Sequence, residues 1–78
     1  KPISMGREAS CQLVLASKQV SRKHCEVWLT ADGLVIRDLN SANGTKVNGT
    51  RIPPQQDVPL KRGDRVEIGS KDECFVIQ

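Results

Sequence analysis

Two dipeptides constrain this chain more than anything else in it: Asp32-Gly33 and Asn48-Gly49. Each stands between short runs of apolar or β-branched residues, the strongest local signal for a tight β-hairpin. Ahead of the first, the chain alternates from His24 onward. Cys25, Val27 and Leu29 are predicted on one face, Glu26 and Thr30 on the other. Trp28 falls on the polar parity, which predicts a half-exposed ring. Ala31-Asp32-Gly33 turns the chain into Leu34-Val35-Ile36. Around the second dipeptide, Thr45-Lys46-Val47 and Thr50-Arg51-Ile52 read as a hairpin with a two-residue turn. A strand ahead of Gly6, Leu13-Val14-Leu15, Val66 to Ile68 after the Arg62-Gly63-Asp64 turn, and Cys74 to Ile77 complete about eight short strands. Gln55-Gln56-Asp57, beside the Pro53-Pro54 pair, reads as a loop. No stretch keeps a helical apolar spacing over three turns. The expected architecture is an all-β antiparallel sandwich.

With 78 residues the chain makes one small domain, in which every strand contributes to a modest core. At 37% hydrophobic it is too apolar for a disordered tail. No run approaches the roughly 18 apolar residues of a membrane helix, and no signal-peptide pattern is visible. Position 1 is Lys1 and the single Met is Met5, so a piece of a longer, multidomain protein is expected. The net charge of +3 permits an acidic partner without demanding nucleic acid. Only Trp28 and Phe75 could stack on bases, which argues against a single-strand binder.

Cys11, Cys25 and Cys74 are odd in number and show no C-x-x-C spacing. They read as small buried hydrophobes of a reducing compartment, inside the cell and in the nucleus ahead of the cytoplasm. His24 beside Cys25 invites a metal reading, but no spacing supplies two further zinc ligands. No metal and no other cofactor is expected.

The remaining signals lie in loops. Gly6-Arg7 follows the first strand, and Ser21-Arg22-Lys23-His24 opens the third. Asp38-Leu39-Asn40-Ser41-Ala42-Asn43-Gly44-Thr45 fills a long loop, followed by Val47-Asn48-Gly49 and by Leu60 through Gly63-Asp64 to Ile68-Gly69. In this order and spacing, G-R, S-R-x-H, D-L-x-S-x-N-G-T, V-N-G and L-x-x-G-D-x-x-x-I-G resemble the forkhead-associated (FHA) family from about Ile3 to Phe75. The resemblance implies an eleven-stranded β-sandwich whose loops, at one end, bind phosphothreonine in partner proteins. It places Arg7 and Ser21 on the phosphate and Asn43 on the peptide backbone. Gly6 would let the backbone turn, and His24 would brace the loops. Two departures stand out. Ala42 replaces the Thr or Ser that many members carry before Asn-Gly, so a hydroxyl is lost while the backbone N–H remains as a donor. Arg22, after Ser21, is the compensating cation. Members also extend about a strand beyond both ends of this chain.

The residue chemistry agrees. A phosphate ester carries about −1.5 to −2 charge and three strong acceptor oxygens. Arg7 offers a planar fork, Ser21 a short donor, and Arg22 and Lys23 added charge. Asn43 can both donate and accept along a peptide chain. Charge-assisted hydrogen bonds give about 1.5–3 kcal/mol each, and a micromolar complex requires about 8. Three such bonds therefore suffice only with help from neighbouring contacts. Ala42, Lys23 and Lys46 are candidates to flank the groove, and Gly44 belongs to the structural motif with Gly6 and His24.

Simpler roles compete. Arg7 could be solvated, Ser21 a turn residue, and Asn43-Gly44 or Asn48-Gly49 merely turns. Asp38 would satisfy loop donors. Arg51 either flanks the groove or solvates an edge strand, and Lys61-Arg62 with Arg65 form a solvated turn. Ser21 and His24 assemble no catalytic triad, so no enzyme activity is expected of the domain, although its parent protein could be an enzyme such as a kinase. The expected partner is a phosphothreonine-containing protein or peptide, with neither nucleic acid nor membrane, and the isolated domain is expected to be a monomer. The alternative is a phosphate-independent interaction domain of the same fold, binding or dimerising through the sheet face near Trp28.

Overall fold

The computed structural model describes residues 2–78, so Lys1 lies outside the described residues. Nine strands form: β1 (Ile3–Gly6), β2 (Leu13–Val14), β3 (Cys25–Thr30), β4 (Gly33–Asp38), β5 (Thr45–Val47), β6 (Thr50–Arg51), β7 (Asp57–Leu60), β8 (Arg65–Ile68) and β9 (Cys74–Val76). They build a five-stranded sheet in the order β2-β1-β3-β4-β7 and a four-stranded sheet in the order β6-β5-β8-β9. The all-β sandwich is therefore as expected. Between the sheets lie Met5, Val20, Cys25, Val27, Ile36, Ile52, Leu60, Val66 and Ile68, all buried.

Both hairpin signals are realised, by different means. At Asn48-Gly49 both residues have positive φ, 52° and 84°. That is the twist-matched turn that Asn-Gly supplies, and Val47 pairs with Thr50 across it. At the first hairpin, Ala31 and Asp32 turn the chain without positive φ. Gly33 then opens β4 at φ 123°, which a side chain would resist.

Several expectations change. A ninth strand, β7, begins at Asp57, in the segment read as a loop. It tolerates Pro59 because β7 is an outermost strand: Pro59 faces Val35 on one side and needs no N–H on the other. Leu29 does not share the buried face of Cys25 and Val27 but is 75% exposed. By that point the β3–β4 hairpin has run past the core, and Thr30, Ala31 and Asp32 are exposed as well. Cys74 is exposed rather than buried, while Cys11 and Cys25 are buried, and all three thiols are free. Burial, with Asp38 nearby, pushes the Cys25 thiol up to about 12, so it stays protonated and inert. Trp28 is half-buried, as its parity predicts.

Candidate functional site

The register of the strands brings four loops to one end of the sandwich: residues 7–12, 15–24, 39–44 and 69–73. Backbone bonds tie them together. Arg7 N donates to Ser21 O (3.0 Å), Glu8 N to Arg22 O (3.1 Å), Leu39 N to His24 O (2.9 Å) and Gly69 N to Gly44 O (3.0 Å). Two glycines make these approaches possible. A Cβ on Gly6 would collide with the Arg22 carbonyl, and one on Gly69 with the Gln19 carbonyl. Gly6 is thus required for space. Its φ is not in the left-handed region, so it does not serve the turn that the family resemblance implied.

His24 is the hub. It is fully buried, and both ring nitrogens are engaged. Nδ1 accepts from Ser21 N–H (3.0 Å) and Nε2 bonds Gly44 O (2.8 Å). An Nδ1 that accepts carries no proton, which fixes the neutral Nε2–H tautomer with Nε2–H donating to Gly44. One ring thereby holds the Ser21 loop against the Gly44 loop. Beneath it, buried Asp38 accepts from Ser41 N–H (3.0 Å), the Ser41 hydroxyl (2.6 Å) and the Thr45 hydroxyl (2.7 Å). Burial raises the Asp38 carboxyl, but these hydrogen bonds outweigh it and hold the group below its ordinary value. Asp38 satisfies loop donors, as expected of it.

On this frame sit the exposed groups. Arg7 donates from Nε to Val20 O (2.6 Å), which fixes the plane of its guanidinium. Its two terminal nitrogens bond no described residue and keep four N–H donors for a ligand. Ser21 Oγ accepts the Ala42 N–H at 3.0 Å, so its own hydroxyl proton is free to donate outward. The same bond corrects one expectation: the Ala42 amide is spent on Ser21 and is not left over for a phosphate. Asn43 donates from Nδ2 to Gln19 O (2.9 Å), leaving Oδ1 and the second amide hydrogen for a ligand. Arg22 and Lys23 are exposed beside Ser21.

A fixed guanidinium, an outward hydroxyl and an oriented amide on one rim describe a receptor for an anionic, peptide-borne group. The FHA domain family model matches residues 3–69. This chain belongs to the FHA family. Among curated relatives, protein C3H7.13 of Schizosaccharomyces pombe is 44% identical over 63 residues, covering 73% of this chain and 21% of its own length. Among solved structures, Mycobacterium tuberculosis EmbR in complex with a low-affinity phosphopeptide superposes with a TM-score of 0.85. It is 36% identical and covers 96% of this chain and 19% of its own. The N-terminal FHA domain of Saccharomyces cerevisiae Rad53p, in complex with a phosphothreonine peptide, gives a TM-score of 0.79 at 29% identity. There the match covers 95% of this chain and 62% of the other. The chain spans only 5–21% of the length of three of its curated relatives, so in them the FHA domain is one part of a larger protein.

Within this FHA domain the structure draws together Arg7, Ser21, Ala42 and Asn43 through direct bonds between their loops, with Gly6, His24 and Gly44 beneath them. The flanking candidates separate. Lys46 lies with Asn43 on one side, along a cleft reaching Lys71. Lys23 lies on another, along a cleft with Cys11 and Leu39. Three contributors have contacts that the sequence alone does not show. Gln19 acts through its carbonyl, which any residue has. Gly69 is the last residue of the L-x-x-G-D-x-x-x-I-G motif, and its spacing marks it without showing its contact with Gln19. Arg51, read two ways in the sequence, lies over Gly44 in the space a Cβ would take, with Nη2 3.5 Å from Ser41 O. It braces the loop rather than merely solvating β6.

Proposed function

We propose that the loop end of this FHA domain binds phosphothreonine in partner proteins and so recruits them in response to a kinase. Residues 1–78 act as one such domain within a larger protein. The observation that carries this reading is the Arg7–Ser21 pair. The guanidinium is anchored by Nε with its other donors unspent, and the hydroxyl is anchored as an acceptor with its proton unspent. Arg7 takes two phosphate oxygens in a fork, Ser21 a third, and Arg22 supplies charge where Ala42 supplies no hydroxyl. Asn43, oriented by Gln19, reads the peptide backbone beside the phosphothreonine. Gly6, His24 and Gly44 hold the loops, and Ala42, Lys23 and Lys46 flank the groove. Two of the similar structures are complexes with a phosphopeptide and a phosphothreonine peptide, which supports this assignment.

The domain itself is a non-catalytic, monomeric reader that takes no cofactor and binds neither nucleic acid nor membrane. Among the described residues, no helix is long and apolar enough to cross a membrane. Three free cysteines suit a reducing compartment, and the nucleus, with checkpoint or DNA-damage signalling as an example, is the setting we assign. Selectivity for threonine over serine rests on one methyl group. Its burial gives about 0.8 kcal/mol by area, rising to about 1–3 in a shaped pocket.

The test is a calorimetric titration of one degenerate peptide library in phosphothreonine, phosphoserine and unmodified forms. Micromolar binding of the phosphothreonine form, weaker binding of phosphoserine and none of threonine is expected. Equal binding of the unmodified form would refute the proposal.

A further inference from the structure

The tripeptide Asn-Gly-Thr occurs twice in this chain, at Asn43-Gly44-Thr45 and at Asn48-Gly49-Thr50. Asparagine is a chemically labile residue, and a glycine after it offers a backbone nitrogen that no side chain shields. In an unfolded chain the two copies would be near equals. The fold treats them differently. Both ends of the Asn48 carboxamide are engaged: Nδ2 donates to the Asp64 carboxylate (3.0 Å) and Oδ1 accepts the Arg65 N–H (3.0 Å). Its main-chain N–H also donates to Arg65 O (2.8 Å). Asn43 is exposed and holds only the Nδ2 bond to Gln19 O (2.9 Å), while its Oδ1 bonds no described residue. The Gly44 N–H donates to no described residue. Gly44 is buried beneath Arg51, whose guanidinium fills the space a Cβ would take. A positive charge there favours an amide nitrogen that has lost its proton.

We propose that Asn43 is a site of self-modification: it deamidates ahead of Asn48, and the acid left in its place shuts the binding end. The Gly44 nitrogen, giving up its proton, bonds to Asn43 Cγ. The Cγ–Nδ2 bond breaks, and Nδ2 leaves as ammonia with that proton. Water then opens the cyclic imide at either carbonyl, which leaves an aspartate or an isoaspartate at position 43. At Asn48 the same attack must first break the bond to a charged acceptor and the bond from Arg65. The new carboxylate has no donor for the Gln19 carbonyl, so the bond that orients the side chain is lost. It also sets a negative charge on the rim that Arg7 and Ser21 turn toward phosphate. The shut-off rests on the proposed phosphothreonine site; the modification itself does not.

The experiment ages the folded chain in mildly alkaline buffer and follows the amide-to-acid mass gain at each asparagine by peptide mapping, with Asn48 as internal control. Asn43 should convert faster by about tenfold or more, the factor set by one further hydrogen bond to a charged acceptor. In urea, where neither side chain is tied, the two rates should come together. Equal rates in the folded chain, or a faster Asn48, would overturn the inference. So would an equal gap in urea, which would take the fold out of it. A second arm titrates the Asn43→Asp variant with a phosphothreonine peptide that wild type binds. Its affinity should fall by about tenfold or more. The acidic fraction of the aged wild-type chain, separated by anion exchange, should show the same fall. Unchanged affinity in that fraction would overturn the shut-off. Failure of wild type to bind any phosphothreonine peptide would overturn the phosphothreonine site and the shut-off with it, while the rate comparison still decides the modification.

Discussion

The two ends of the sandwich carry similar charge but differ in construction. At the far end, Lys61, Arg62 and Arg65 crowd one turn, as Arg7, Arg22 and Lys23 crowd the loops of the other. The far end is closed between short turns. Thr30 Oγ1 bonds Gly33 O within one hairpin, and Asp64 accepts from Lys61 N–H and the Asn48 side chain. Buried Asp64 joins two short turns there, its own and that of Asn48-Gly49. The binding end is closed by side chains that join its long loops, His24 from Ser21 to Gly44 and Asn43 to Gln19, while Asp38 holds Ser41 and Thr45 within the loop that follows β4. The lesson is that exposed cations do not make an anion site. A site appears where the frame fixes donors and leaves their outward hydrogens unspent.

The largest effect should come from removing the frame. His24→Ala strands the Ser21 N–H and the Gly44 carbonyl and opens a cavity, with an expected loss of about 3–5 kcal/mol in urea denaturation. A loss below about 1 kcal/mol would mean that the loops hold without the ring.

Next comes the cation comparison itself. Arg7→Ala should weaken phosphothreonine-peptide binding by about 2–5 kcal/mol in calorimetry. Lys61→Ala/Arg62→Ala, which removes more charge, should change it by less than about 0.5 kcal/mol at physiological salt. Equal losses would show that net charge, and not geometry, drives binding.

A smaller gain should follow Ala42→Thr, which restores a hydroxyl beside Ser21. About 1 kcal/mol of tighter phosphopeptide binding is expected from the same titration. No gain would show that Arg22 already fills that role.

The smallest contrast is in acid. Asp38 and Asp64 both titrate below their ordinary value when folded. Asp38 does so because hydrogen bonds from Ser41 and Thr45 outweigh its burial, and Asp64 because of the Lys61 N–H and Asn48. The unfolded chain therefore binds more protons in acid. The stability from both groups is fully present above pH ~4 and is lost as pH falls through the folded values. Asp38→Asn should shallow the fall of urea midpoint between pH 5 and 2, and a slope equal to wild type would contradict the assignment.

Much of this was legible in the sequence because turn chemistry is local. Asn48-Gly49 dictates its own backbone, and the alternation from Cys25 to Val27 dictates a buried face. The ordered loop motifs singled out Arg7, Ser21 and Asn43, whose loops the structure joins at one end. What stayed hidden depends on distant neighbours. Pro59 reads as a strand breaker until β7 is known to be an edge. Leu29 reads as core until the hairpin is seen to outrun the opposite sheet. The Ala42 amide reads as free until Ser21, 21 residues away, is seen to accept it. The Gln19 carbonyl and the packing of Arg51 on Gly44 belong to pairs that no single motif contains.

The most direct measurement is an amide chemical-shift map of the labelled domain titrated with a phosphothreonine peptide. Shifts should concentrate at Arg7, Ser21 to His24 and Ala42 to Gly44, and leave Asn48, Gly49 and Lys61 to Arg65 still. Shifts centred on Lys61 to Arg65, or on the sheet face around Trp28, would contradict the claim that fixed donors at the loop end make the site.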